Sequence, residues 1–76
     1  MKGGEILAYL NLRAEMARRG VMIKDLMEVT GKSRSAVSMN LNGNSEFSIG
    51  ESIKIKERFF PDMDYEILFE KEEVIA

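Results

Sequence analysis

A chain of 76 residues makes one domain, because a second folding unit would have too few residues to bury a core. Its 45% hydrophobic and 32% charged residues are those of a globular domain rather than a disordered or membrane-embedded one, and it holds no Cys and no His. Disulfide staples and thiolate ligands are excluded and the commonest general base is missing, so an enzyme is not expected.

The formal charge of −2 is unevenly placed. Residues 1–58 carry ten Lys and Arg against seven acids, a balance of +3, whereas residues 59–76 carry Lys71 against six acids, a balance of −5. Between Gly31 and Gly43 the only charges are Lys32 and Arg34, so this stretch can approach phosphate without local repulsion; a solvated surface is the competing account. The longest apolar run, Ile6 to Leu10, falls far short of the roughly 20 residues that span a bilayer. Met1-Lys2-Gly3-Gly4 lacks the pattern of a secretory leader, and a cytoplasmic protein is expected.

In chain order, Ile6, Leu7, Leu10, Ala14 and Ala17 recur at spacings of three and four, with Leu12 and Met16 one turn apart. They predict a first helix from Glu5 to Arg19, stopped by Gly20, with Glu15 and Arg19 paired across one turn. Ile23 to Val29 predicts a short second helix, with Leu26 and Met27 inward, Asp25 in the first turn and Gly31 after it; Met22 cannot cap it. Ser33 caps a third helix from Arg34 to Leu41, whose inward residues are Val37 and Leu41 and whose stop is Asn42-Gly43.

Ser48-Ile49-Gly50-Glu51 is a capping box opening a fourth helix, with Phe47 placed as a staple against Ile53 or its neighbours. Ile49, Ile53 and Phe60, flanked by Ile55 and Phe59, predict its apolar face, and Pro61 ends it. A fifth helix is predicted at about Met63 to Phe69, starting from Asp62 or Asp64. No strand pattern stands out, although Val74-Ile75 could add an edge in a dimer. The six Met are scattered as gap-fillers, but Met22 and Met39 fit no inward position.

Two short helices joined through a Gly-containing turn, the second one basic and rich in small polar residues, meet the demands of a helix-turn-helix reader of DNA. The first braces across the backbone and the second enters the major groove. Ser33, Arg34, Ser35, Ser38, Met39 and Asn42 supply the outward face. Arg34 can bond guanine through two donors, the hydroxyls of Ser35 and Ser38 can meet a base edge or phosphate, and Met39 can touch a thymine methyl.

The blocks Asn11-Leu12-Arg13-Ala14-Glu15-Met16-Ala17-Arg18-Arg19-Gly20, Gly31-Lys32-Ser33-Arg34-Ser35-Ala36-Val37-Ser38, Leu41-Asn42-Gly43 and Ser45-Glu46-Phe47-Ser48 resemble the Cro/C1-type (XRE) helix-turn-helix repressors of bacteria and their phages. The resemblance covers about residues 9 to 70. It implies an all-α, compact five-helix lambda-repressor-like domain over residues 1–70, followed by an acidic C-terminal tail, residues 71–76. It makes Ile23–Thr30 the bracing helix and Ser33–Leu41 the recognition helix, placing Arg34, Ser35, Ser38 and Met39 at base-reading positions and Asn42 at a phosphate. Lys24, Lys32, Ser33 and Arg13 are the further phosphate contacts expected. The chain departs from the family at Met22-Ile23, where Thr-Gln is usual, at Met27, where a small Ala is usual, and at Thr30 and Lys32, where apolar residues are usual.

The expected function is a DNA-binding transcriptional repressor of phage or mobile-element type, a nucleoid-associated homodimer on a two-fold operator. It implies no cofactor, metal, membrane or small-molecule substrate. A different class is a helix-turn-helix used for protein binding, antirepressor-like or antitoxin-like, with Met22, Ile23 and Met39 as its patch. Asp62, Asp64 and Glu66 could be imagined as a metal site, but acids opening a short helix are explained by capping and dipole.

Overall fold

The computed structural model describes residues 5–7 and 9–74, with side chains for 9–71. Its helices are α1 (Leu10–Arg19), α2 (Ile23–Thr30), α3 (Arg34–Leu41), α4 (Ile49–Phe59) and α5 (Tyr65–Leu68), an all-α architecture. Their ends follow local chemistry. Ser33, Ser48 and Asp64 each accept a hydrogen bond from the backbone N–H three residues on, at 3.2, 3.1 and 3.1 Å. Glu51 reaches back to the Ser48 N–H at 3.0 Å and completes the box. Met22 has no oxygen to offer, and Asp25 supplies the reciprocal half alone, accepting from the Met22 N–H at 2.8 Å.

The ends of the chain differ from the expectation. The predicted first helix starts five residues late, because Tyr9 adopts a left-handed conformation at φ 57°, which a helix cannot propagate through. Upstream, β1 (Glu5–Leu7) pairs antiparallel with β2 (Glu72–Val74), matching Glu5 to Val74 and Leu7 to Glu72. Glu72–Val74 therefore pairs within its own chain, in place of the edge for a second copy expected at Val74-Ile75. Met1–Gly4, Ala8, Ile75 and Ala76 lie outside the described residues, and with them the leader reading and the Ile75 half of the edge.

Leu12, Leu26, Val37, Ile55, Phe60 and Leu68 are fully buried and form the centre of the core. Helix α2 is the hub: α3 and α4 both pack on it, while α5 closes against α1 and α4. Tyr9, Phe47 and Phe69 form an aromatic cluster with centroids 5.2 to 6.1 Å apart, Phe69 standing edge-on to the other two. Phe47 is buried there, whereas Ile53 is exposed.

The inward face of α4 is rotated from the expected one. Ile55 and Ser52 point inward, and Ile49 and Ile53 point out, with Ile49 73% exposed. Ser52 suits the crowded junction with α5 because its hydroxyl bonds both the Ile49 carbonyl at 2.9 Å and the Tyr65 hydroxyl at 2.6 Å. Ala14 and Ala17 of α1 are likewise exposed.

The end of α1 is clasped to the α4–α5 loop. Arg19 donates two parallel hydrogen bonds to Asp62, at 2.7 and 2.8 Å, and lies 5.2 Å from the Phe60 ring. The expected Glu15 pair is present at 3.3 Å. The Arg19 guanidinium holds the Asp62 carboxyl down to about 2.

Candidate nucleic-acid interface

The α2–α3 unit turns on Gly31, whose φ of 76° is left-handed; nothing lies within 4 Å of where a Cβ would stand, so backbone conformation, not space, demands glycine here. The Gly31 N–H bonds the Met27 carbonyl at 2.8 Å, and the Thr30 hydroxyl bonds the Leu26 carbonyl at 2.6 Å and accepts from the Lys32 N–H at 3.3 Å. Four backbone groups at the turn are thereby satisfied.

Helix α3 buries Val37, Asn40 and Leu41. Its opposite face carries Arg34, Ser35, Met39 and Asn42, all exposed, with Ser38 half-buried between them. The spacing of one, three, one and three residues keeps these five on one stripe of the helix. Arg34 lies in the first turn of α3 and Asn42 just past its last, so bidentate donors, hydroxyls and a thioether share one continuous surface. Ser33 itself is exposed and spends its hydroxyl on the Ala36 N–H.

Lys24 lies exposed in the first turn of α2 and Arg13 lies exposed on α1. Arg13, Met22, Ile23 and Leu41 line one groove of about 330 Å³, which brings Arg13 beside the start of α2 and the end of α3. Among the described residues Arg13, Lys24 and Arg34 make no salt bridge, while Arg18, Arg19, Lys32 and Lys71 do. Met22 and Met39 stand 59% and 47% exposed.

Lys32 is placed differently from the other expected phosphate contacts. Its ammonium points inward, bonded to the Asn40 amide oxygen and, at 3.1 Å, to a Glu51 carboxylate oxygen, and it lies 5.3 Å from the centre of the Phe47 ring. Asn40 completes the network by donating to the Ser45 hydroxyl at 2.9 Å. Withdrawing Lys32 toward a phosphate would strip the buried Asn40 oxygen of its donor, at a cost of about 1–3 kcal/mol. Spacing held a signal for this arrangement, since Asn40 falls between Val37 and Leu41 on the inward stripe, where a polar side chain requires a partner.

Two of the three acids considered as a metal site are otherwise engaged, since Asp62 holds Arg19 and Asp64 caps α5. No group of acids arranged to hold a metal ion occurs among the described residues. No helix among them is long and apolar enough to cross a membrane. Comparison with protein-family models, curated proteins and solved structures finds no match to this chain.

Proposed function

We propose that this chain is a sequence-specific DNA-binding transcriptional regulator, a repressor of phage or prophage type acting in the cytoplasm at the nucleoid. The outward stripe of α3 supports it: an Arg without an ion-pair partner among the described residues, two serines, a Met and an Asn, with no acid from Gly31 to Gly43. A major groove admits one helix, Arg34 suits the paired acceptors of guanine, and Ser35 and Ser38 suit base edges or phosphate. Asn42 at the end of the stripe, with the exposed Arg13 of α1 and Lys24 of α2, would serve the phosphates that set register. Two copies would sit on a two-fold operator with half-sites roughly 34 Å apart, and occupancy of a promoter would repress without chemistry.

Fluorescence anisotropy tests this with the DNA upstream of the chain's own coding sequence and an unrelated duplex across a salt series. Tight binding to the upstream DNA only, with a log–log salt slope of several phosphates at about 0.9 each, is expected. Equal binding to both duplexes, or none at low salt, would remove the operator role.

A second reading has its own observation. Met22 is exposed at a groove lined mostly by apolar residues, and Met39 is exposed on α3, surfaces suited to a protein partner. A helix-turn-helix of antirepressor or antitoxin type would use them, and salt-insensitive association would favour this reading.

A further inference from the structure

The inward side of α3 bears on function beyond direct contact. Helices α3 and α4 each pack on α2, so apolar burial ties both to a common hub. Apolar burial is non-directional. Hydrogen bonds fix direction. Among the described residues a polar link joins α3 to α4 through one ammonium: Lys32, at the end of the α2–α3 turn, holds Asn40 on the last turn of α3 and Glu51 on the first turn of α4.

Every partner in this junction has a second fixed bond. Asn40 is 1% exposed and holds Ser45. Glu51 also accepts from the Ser48 N–H at 3.0 Å, which anchors it to the backbone at the start of α4. Phe47, beneath the ammonium, is buried against Tyr9. The ammonium therefore bridges two rigid points on different helices, and the outer stripe of α3 rides on one of them. Two-donor readout of a base edge fails when the helix is displaced by about an ångström, so the junction acts on base discrimination without reaching the DNA.

The geometry points to Lys32 as a positioning residue of the proposed DNA-binding face, fixing the tilt of α3 through Asn40 and Glu51 while making no phosphate contact of its own. The role rests on the operator-binding reading, and the test separates the two. Wild type, Lys32→Met, Lys32→Arg and Glu51→Gln are titrated with the upstream and unrelated duplexes across a salt series, and circular dichroism checks that each is folded.

Lys32→Met is expected to weaken binding to the upstream DNA on the order of tenfold, leave the unrelated duplex unchanged, and keep the wild-type salt slope. Lys32→Arg, which keeps charge and donors, restores part of the preference. Glu51→Gln, which keeps the capping oxygen, gives a smaller loss of preference at the same slope and carries the test should Lys32→Met not fold. An equal loss on both duplexes with a slope shallower by about 0.9 would make Lys32 a phosphate contact and overturn the proposal. Unaltered discrimination in the folded variants would overturn it too. A wild type that does not discriminate between the duplexes would instead bring down operator binding itself, and the positioning role with it.

Discussion

The α2–α3 unit and the paired ends of the chain are built by opposite means. In α2–α3, each stop and start is set by a residue within a few positions of where it acts: Gly31 ends one helix, Ser33 opens the next, and Thr30 ties the turn between them. At the ends, Tyr9 holds a left-handed backbone that costs roughly 1–2 kcal/mol. What retains it is distant, since its hydroxyl accepts from the buried Phe47 N–H at 3.2 Å, its ring packs on Phe47 and Phe69, and β1 just before it pairs with β2 near the other end of the chain. Local chemistry sets the first region, and tertiary contacts over-determine the second.

The largest expected effect erases that distinction. Leu26 lies fully buried in the helix on which α3 and α4 pack, so Leu26→Ala should cost about 2–5 kcal/mol and lower the urea midpoint of the entire domain. Separate transitions for the two regions would show that they do not share one core.

Tyr9→Phe keeps the ring and removes the oxygen that the Phe47 N–H uses. A loss of about 1–3 kcal/mol is expected for leaving that donor unpaired. Hydrogen exchange should speed up first at the β1 amides while protection in α2 and α3 holds. Uniform acceleration across the chain would mean that the ends are not a separate unit.

Ser33→Ala should cost about 1 kcal/mol, read as a lower midpoint of thermal unfolding with α3 amides exchanging sooner. Arg34→Ala should leave stability within about 0.5 kcal/mol, since the side chain is exposed, yet weaken operator binding by about 1–3 kcal/mol with relaxed preference at one base pair. Equal weakening on every sequence would reassign Arg34 to a phosphate.

The smallest effect is on pH. The folded Asp62 carboxyl lies at about 2, below its ordinary 3.8, chiefly through its hydrogen bonds to Arg19. A lowered folded value means stability present above the ordinary value and lost as the folded carboxyl takes up its proton. Between about pH 4 and pH 2 the wild type should therefore lose more stability than Asp62→Asn. Parallel acid titrations of the two, followed by circular dichroism, check this, and identical slopes would show the clasp to be inert.

Reading the chain alone recovers the span of α3, the capping box of α4 and the glycine stops, because each depends on residues close together. The outward stripe of α3 is equally legible, since helical spacing and the buried Val37 and Leu41 determine which residues remain outside. Lys32 is the exception within the site. By charge it belongs with the phosphate contacts, and Asn40 and Glu51, 8 and 19 residues away, turn it inward.

What the sequence by itself determined is the set of signals that act within a turn of helix: the existence of five helices, the Ser33 and Ser48 caps, the glycine stops and the outward stripe of α3. What the tertiary structure alone decided is how distant groups meet. It turns α4 so that Ser52 and Ile55, rather than Ile49 and Ile53, face the core. It also pairs β1 with β2, strains Tyr9, and draws Lys32 under α3. The reason is physical: capping and helical periodicity are short-range and readable in order along the chain, whereas burial and hydrogen-bond satisfaction depend on which surfaces come together.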